Sequence, residues 1–251
     1  MLTETIHGQI FIIIQARMTS TRLPGKIMLP VGKKSALETM IERLAPLRDK
    51  CRIVIATTDD GTEEPIVGVC EKIGLDYHRG DTADVLSRFY DAAVKFGAAS
   101  GDVIVRLTSD CPLIDPEITW KTIEFFKNNS YDYVSNVVER TFPRGMDTQV
   151  LSFEKLQLCQ VKSTTPFERD HVTTYIDTTH SSEFRIGSFK DAEDNSKYRI
   201  TLDEESDYRA IVEIYKKFNF RTDFSYRELI GMLRENPFIY DINARVEQKH
   251  N

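Results

Sequence analysis

Apolar residues arrive in two rhythms along the first 135 positions. Short unbroken runs at Ile10–Gln15, Arg52–Ala56, Val103–Leu107 and Tyr131–Ser135 have the length and β-branched content of strands covered on both faces. Between them the spacing is helical. Leu37, Met40, Ile41 and Leu44 share one stripe within Ala36–Leu47. Glu63–Ile73 stops before Gly74, and the stripe of Val85, Leu86, Phe89, Ala93 and Phe96 stops before Gly97. Trp120, Ile123 and Phe126 follow Pro116, a residue suited to a helix's first turn. This β-α-β-α order predicts an α/β fold with a mainly parallel, doubly wound sheet and right-handed crossovers. Such sheets bind ligands at the carboxyl ends of their strands. The loops after Gln15 and Leu107 are therefore the places to look for chemistry.

After Ser135 the rhythm breaks. Thr141–Lys162 mixes turn residues with a short strand around Gln149–Leu151 and a short helix. Pro166–Thr179 reads as helical, and Phe184–Phe189 and Tyr198–Leu202 as strands. Tyr208, Ile211, Val212, Tyr215 and Phe218 form a helical stripe, and a last helix covers Tyr226–Arg234. No repeat or low-complexity linker divides the chain. One domain spanning 1–251 is expected, with 136–190 as an elaboration that binds an acceptor or a second subunit. The tail after Asp241 is expected to be loosely held.

With 251 residues, of which 41% are hydrophobic and 29% charged, the chain can bury a core without staples. A net charge of −6 argues against nucleic acid as the partner, because phosphate-driven association needs a basic surface. It leaves room for a small anion held by a few local cations. The apolar run Ile10–Ile14 is too short for a membrane span or a secretory signal. Cys51, Cys70, Cys111 and Cys159 show no CxxC spacing, so reduced thiols in a cytoplasmic protein are expected rather than zinc or disulfides.

The loop Gln15–Lys26 changes the picture most. It places Arg17, Arg22 and Lys26 within ten residues, directly after a buried strand, among Thr19, Ser20, Thr21 and Gly25. Small residues let the backbone approach a phosphate, arginine adds forked donors, and lysine adds a compact charge. Neither GxxxxGK[ST] nor GxGxxG is present, so the P-loop and dinucleotide fingerprints do not apply. On composition alone, an exposed basic connection explains the loop equally well.

The stretch Ile12–Lys26, IIIQARMTSTRLPGK, resembles the start of the spore coat polysaccharide biosynthesis protein F family. That family is related to the acylneuraminate and 3-deoxy-manno-octulosonate cytidylyltransferases. The likeness continues in Ala56–Asp60, in Arg79-Gly80-Asp81 with Asp84-Val85-Leu86, and in Arg106–Ile114 (RLTSDCPLI). It continues further in Phe142–Asp147 (FPRGMD), Glu168–Thr173 (ERDHVT) and Arg199–Asp207 (RITLDEESD), in the family's order. The resemblance implies a nucleotide-diphospho-sugar transferase type of fold. It also implies an Mg²⁺-dependent enzyme that moves CMP from CTP to an acidic sugar or related small anionic acceptor, and a homodimer.

The same resemblance implies site roles. Gln15, Ala16, Arg17, Ser20, Arg22, Lys26, Asp81 and Asp110 would bind nucleotide, with Arg17, Lys26 and Asp110 acting in catalysis. Asp110 and Asp203 would hold the metal. Arg144, Asp147, Arg169 and His171 would meet the acceptor. Read from the residues themselves, alternatives stand beside several of these. Asp110 could shape the turn before Cys111-Pro112. Asp203 could cap the helix that follows it. Asp81 could be a turn residue, and His171 could be a helix histidine satisfied by a neighbour. Where relatives often read Asp-Thr-Pro-Glu-Asp, this chain has Asp203-Glu204-Glu205-Ser206-Asp207. A glycosyltransferase using a nucleotide-sugar donor is the competing class, although Ser109-Asp110-Cys111 lacks the second aspartate of a DxD motif.

Overall fold

A computed structural model of the chain describes residues 8–247. In chain order the elements are β1 (Ile10–Ala16), β2 (Pro30–Val31), β3 (Lys34–Ser35), α1 (Ala36–Arg43), β4 (Arg52–Thr58), α2 (Glu64–Ile73) and β5 (Asp76–Gly80). They continue with α3 (Val85–Lys95), β6 (Val103–Thr108), α4 (Pro116–Lys127), β7 (Tyr133–Ser135), β8 (Gln149–Ser152), α5 (Phe153–Lys162) and α6 (Pro166–His171). The last are β9 (Ile186–Ser188), α7 (Glu205–Lys217), α8 (Tyr226–Glu235) and α9 (Pro237–Asn243).

The main sheet has the order β5-β4-β1-β6-β8-β7-β9. β1 pairs in parallel with β4 and β6, setting Ile12 beside Ile53 and Val105. β8 alone runs against both of its neighbours, β6 and β7. β2 and β3 form a separate two-stranded hairpin. The expected mainly parallel α/β sheet is thus what the chain builds.

The unbroken apolar run of β1 is explained by its position. Ile12 and Ile14 face a core that includes Leu37, Met40 and Ile66, while Phe11 and Ile13 face another with Leu86, Phe89 and Leu156. Alternate side chains leave a strand on opposite faces, and here both faces are covered. A third apolar cluster lies around α7 and α8, with Ile211, Tyr215 and Leu229. Helix starts follow their caps. Ser35 and Glu38 form a reciprocal box at α1, and Asp115 accepts from the Ile118 N–H with Pro116 next to it at α4. No helix of the described residues is long and apolar enough to cross a membrane.

Three expectations need correction. Tyr198–Leu202 is not a ladder strand: it is a buried extended segment with one bridge, Arg199 to Arg144. Its N–H groups go instead to single loop carbonyls, from Ile200 to Arg144 and from Leu202 to Asp110, both at 2.8 Å. Pro166–Thr179 is not one helix. It breaks at Val172, whose φ of 65° and ψ of −56° close a tight turn from the Thr173 N–H to the His171 carbonyl at 2.7 Å. This is the strained form of γ-turn, held here by burial of the valine. Finally, the tail past Asp241 is anchored through Asn243, which is buried and donates to Asp207 at 2.9 Å and to the Arg199 carbonyl at 3.0 Å. His7 and His250, which join no constellation in the sequence, lie outside the described residues.

Candidate active site

The basic loop is a folded turn rather than a free connection. The Ser20 and Gly25 N–H groups both donate to the Met18 carbonyl, at 3.0 and 2.9 Å. Gly25 has φ 67°, a left-handed conformation that costs glycine no steric strain. The next residues form a single 3₁₀ turn in which Ile27 is buried. That turn carries Lys26 back toward the strand ends.

Lys26 meets two carboxylates there. Its Nζ donates to Asp110 Oδ2 at 2.8 Å and to Asp203 Oδ1 at 2.9 Å. Asp110 lies two residues beyond β6. Asp203 lies at the end of the extended segment 198–202, which is stitched to Asp110 by the Leu202 N–H and, at 3.2 Å, by the Thr201 hydroxyl. Gly145 makes this possible. At φ 108° its α-carbon is so close to Thr201 that a Cβ would fall 2.6 Å from the Thr201 nitrogen. Arg22 reaches Asp203 at 3.0 Å, and Arg199 holds the other Asp203 oxygen at 2.9 Å and Asp207 at 2.8 Å. The helix-capping reading of Asp203 falls away. Glu204 is the N-cap of α7, and Asp207 accepts from the N–H groups of Asp203 and Glu204.

Burial pulls the Lys26 ammonium down, but Asp110 and Asp203 outweigh it and hold it above the ordinary lysine value. Burial pushes Asp110 up, and Lys26 more than reverses that, leaving its carboxyl below the usual range. Two hard carboxylates meeting at one point suit a divalent cation such as Mg²⁺, which takes one or two protein carboxylates and completes its shell with water and phosphate oxygens. Among the described residues no group of three or more His, Cys, Asp and Glu forms a closed all-protein metal site.

A cleft of about 320 Å³ opens beside this cluster. Of the residues singled out in the sequence, Gln15, Ala16, Arg17, Ser20, Arg22, Lys26, Asp110, Asp203 and His171 all line it. Asp81, Arg144, Asp147 and Arg169 do not. Exposed Asp81 is a turn residue whose Oδ1 accepts from the Ala83 and Asp84 N–H groups. Asp147 is forked onto Arg140 at 2.6 and 2.8 Å. Arg169 is committed to Asp84, Ser87 and the Gln160 carbonyl, tying α6 to α3. Arg144 lines a separate small pocket with Lys197, Tyr198 and Tyr240. His171 is half-buried. Burial lowers its pKa below the ordinary histidine value, and the Arg106 charge adds to that against Asp170. The imidazole is therefore neutral at pH 7.

Of the cleft residues given no role in the sequence, two are arginines, Arg88 on α3 and Arg106 on β6. Arg88 is 1% exposed, and its pKa is brought down to about 10 by burial and by the charge of Arg17. Neither forms an ion pair with any described residue, and the Nε of each is buried without a partner. A signal for both was present. Arg88 sits on the apolar stripe of Val85 and Phe89, and Arg106 interrupts a β-branched run. A charge in such a position is rarely there for packing alone. The four cysteines are buried thiols, with Cys51 pushed up to about 11 and Cys70 and Cys159 to about 12 by burial, so they are poor nucleophiles.

A cationic small-residue turn facing a carboxylate pair across the ends of a parallel sheet defines a nucleotidyltransferase. The chain belongs to the cytidylyltransferase family, whose model matches residues 11–240. It is 34% identical over 240 residues to the spore coat polysaccharide biosynthesis protein SpsF of Bacillus subtilis, covering 92% of this chain and 96% of that one. A solved cytidylyltransferase from Leptospira borgpetersenii serovar Hardjo-bovis superposes with a TM-score of 0.88 at 34% identity, over 97% of this chain and 100% of the other. CMP:2-keto-3-deoxy-manno-octonic acid synthetase complexed with CTP shares the fold, with a TM-score of 0.63 at 16% identity over 84% and 100% of the two chains.

Proposed function

We propose that this chain transfers CMP from CTP to a small acidic sugar, releasing pyrophosphate, in the making of a surface polysaccharide. The observation that carries this reading is the convergence of the loop cation Lys26 with Asp110 and Asp203 in one cleft. In the reaction an acceptor oxygen attacks the α-phosphorus of CTP, and the bond to the bridging oxygen of pyrophosphate breaks. Arg17, Arg22 and Lys26 neutralise charge gathering on the leaving pyrophosphate. The cleft holds the two substrates in line. In this reading His171, which lines the cleft and is neutral at pH 7, takes the acceptor's proton. Mg²⁺ bound by Asp110 and Asp203 would supply Lewis-acid polarisation of the α-phosphate. A homodimer working in the cytoplasm completes the proposal.

The test is a pyrophosphate-release screen of CTP, UTP, GTP and ATP against acidic sugars, phosphosugars and phosphonates, with and without Mg²⁺. Release that needs CTP, an acidic sugar and Mg²⁺ is the expected result. Sugar transfer from a nucleotide-sugar donor, with no release from CTP, would replace this reading with a glycosyltransferase.

A further inference from the structure

Arg106 forms no ion pair with any described residue, although it rises from the middle of the sheet. Its strand neighbours Val105 and Leu107 are fully covered, yet it lines the cleft. Its orientation is fixed by two neutral groups. One terminal nitrogen donates to the Gln149 side-chain oxygen at 2.6 Å and the other to the Gln15 side-chain oxygen at 2.9 Å. Gln149 is its direct cross-strand partner on β8, and Gln15 comes from β1. Amide oxygens orient a guanidinium but leave its full charge in place. Its Nε–H is buried and unpaired, which is costly unless a ligand group makes up the difference.

The cleft's other cations are differently placed. Lys26 and Arg22 are paired with carboxylates, and Arg88 feels the charge of Arg17 strongly enough to form a second cationic group with it. Those side chains lie on the basic loop and on α3. Arg106 is instead surrounded by groups that favour its charged form, Tyr133, Asp177, Asp110 and Asp147. A carboxylate matches both the planarity and the charge of one forked guanidinium. Arg106 also stands only four residues before Asp110 on the same strand and loop, and His171 lines the same cleft.

We propose that Arg106, clamped between Gln15 and Gln149, is the specificity-determining residue that receives the carboxylate of the acceptor. This rests on the acidic-sugar reading above, and it commits one residue to one group of that sugar.

The test measures binding directly, so that it does not depend on turnover. Wild-type protein, Arg106→Gln and Gln149→Glu are titrated with 3-deoxy-manno-octulosonate, with N-acetylneuraminate, with the methyl ester of each, and separately with CTP. Wild type is expected to bind one of the acids and to lose about 100-fold in affinity for its methyl ester. Arg106→Gln should bind acid and ester equally weakly while keeping its CTP affinity within about twofold. Gln149→Glu leaves the arginine in place but gives it an internal carboxylate. It should raise the melting temperature and weaken the acid, a combination that a purely structural role for Arg106 does not produce. Equal binding of acid and ester by wild type, undiminished acid binding by Arg106→Gln, or binding of neither acid overturns the proposal. Acid binding that depends on Arg106 without any CTP turnover would retain it and overturn the cytidylyl reading instead.

Discussion

At one end of the cleft every charge has its opposite within reach. Lys26 sits between Asp110 and Asp203, Arg22 backs Asp203, and Arg199 ties Asp203 to Asp207. Elsewhere in the cleft Arg17, Arg88 and Arg106 form no ion pair with any described residue. The two sets therefore respond to ligands in opposite ways. At the first, an incoming ligand must exchange partners with groups already satisfied. At the second, it supplies the missing partners. Removing a charge from a satisfied cluster leaves another charge stranded, whereas removing an unpaired buried charge relieves the fold.

The largest effect expected from this contrast is on turnover. Asp110→Ala should lower pyrophosphate release by about 1,000-fold or more while the circular dichroism spectrum remains native. Near-normal release from that variant would remove Asp110 from the machinery.

Next comes Lys26→Met. In the ligand-free protein it should cost about 2 kcal/mol in denaturant unfolding, because two carboxylates lose their shared cation. It should also change the pH profile. With Lys26 present, Asp110 titrates below its usual value, so its stabilisation is complete above the unfolded value near pH 4 and is lost as pH falls through the lower folded value. Lys26 titrates high, so its stabilisation is complete below its unfolded value of about 10.4 and is lost as pH rises through the higher folded value. Without Lys26 the burial of Asp110 is opposed only by hydrogen bonds from the Thr108 and Cys111 side chains, its pKa rises, and stability should fall as pH increases from about 4. An unchanged acid limb would show that the two groups do not interact in solution.

The opposite sign is expected among the unpaired arginines. Arg88→Met should raise ligand-free stability by about 1 kcal/mol and weaken CTP binding by about tenfold. A loss of stability would mean that its hydrogen bond to the Asp81 carbonyl, at 3.1 Å, outweighs the cost of burying the charge. The exposed pair Arg52–Asp76, 2.8 Å apart on the sheet's far side, serves as a scale. Breaking it with Asp76→Ala should cost no more than about 0.5 kcal/mol, since water screens both groups.

Much of this was legible in the chain. The covered strands β1, β4 and β6 declared themselves as unbroken apolar runs because both faces of the sheet are packed. Gly74 and Gly97, with φ of 63° and 92°, marked helix ends for a backbone reason. The loop after β1 and Asp110 after β6 could be singled out because strand ends in a parallel sheet point the same way, whereas Asp203 rested on the family resemblance. Other features depend on distance in space. Nothing local marks Tyr198–Leu202 as a segment whose bonds go to Arg144 and Asp110 instead of a ladder. Arg169 and Asp147 looked available because their partners, Asp84 and Arg140, are fixed only by folding. Arg88 and Arg106 were visible as misplaced charges, but only the cleft gives that misplacement a meaning.

The reversed strand β8 has a consequence for how the chain is assembled. β1, β4, β5 and β6 pair only with one another up to residue 108, so that half of the sheet can form from its own sequence. β7 emerges earlier than β8 but has no neighbour until β8 slots between it and β6 and β9 arrives from beyond residue 185. Contacts of that sequence separation close slowly. The first half is therefore expected to act as a template on which the second condenses. Because Gln149 is carried by β8, the clamp on Arg106 closes only when that last stage is complete.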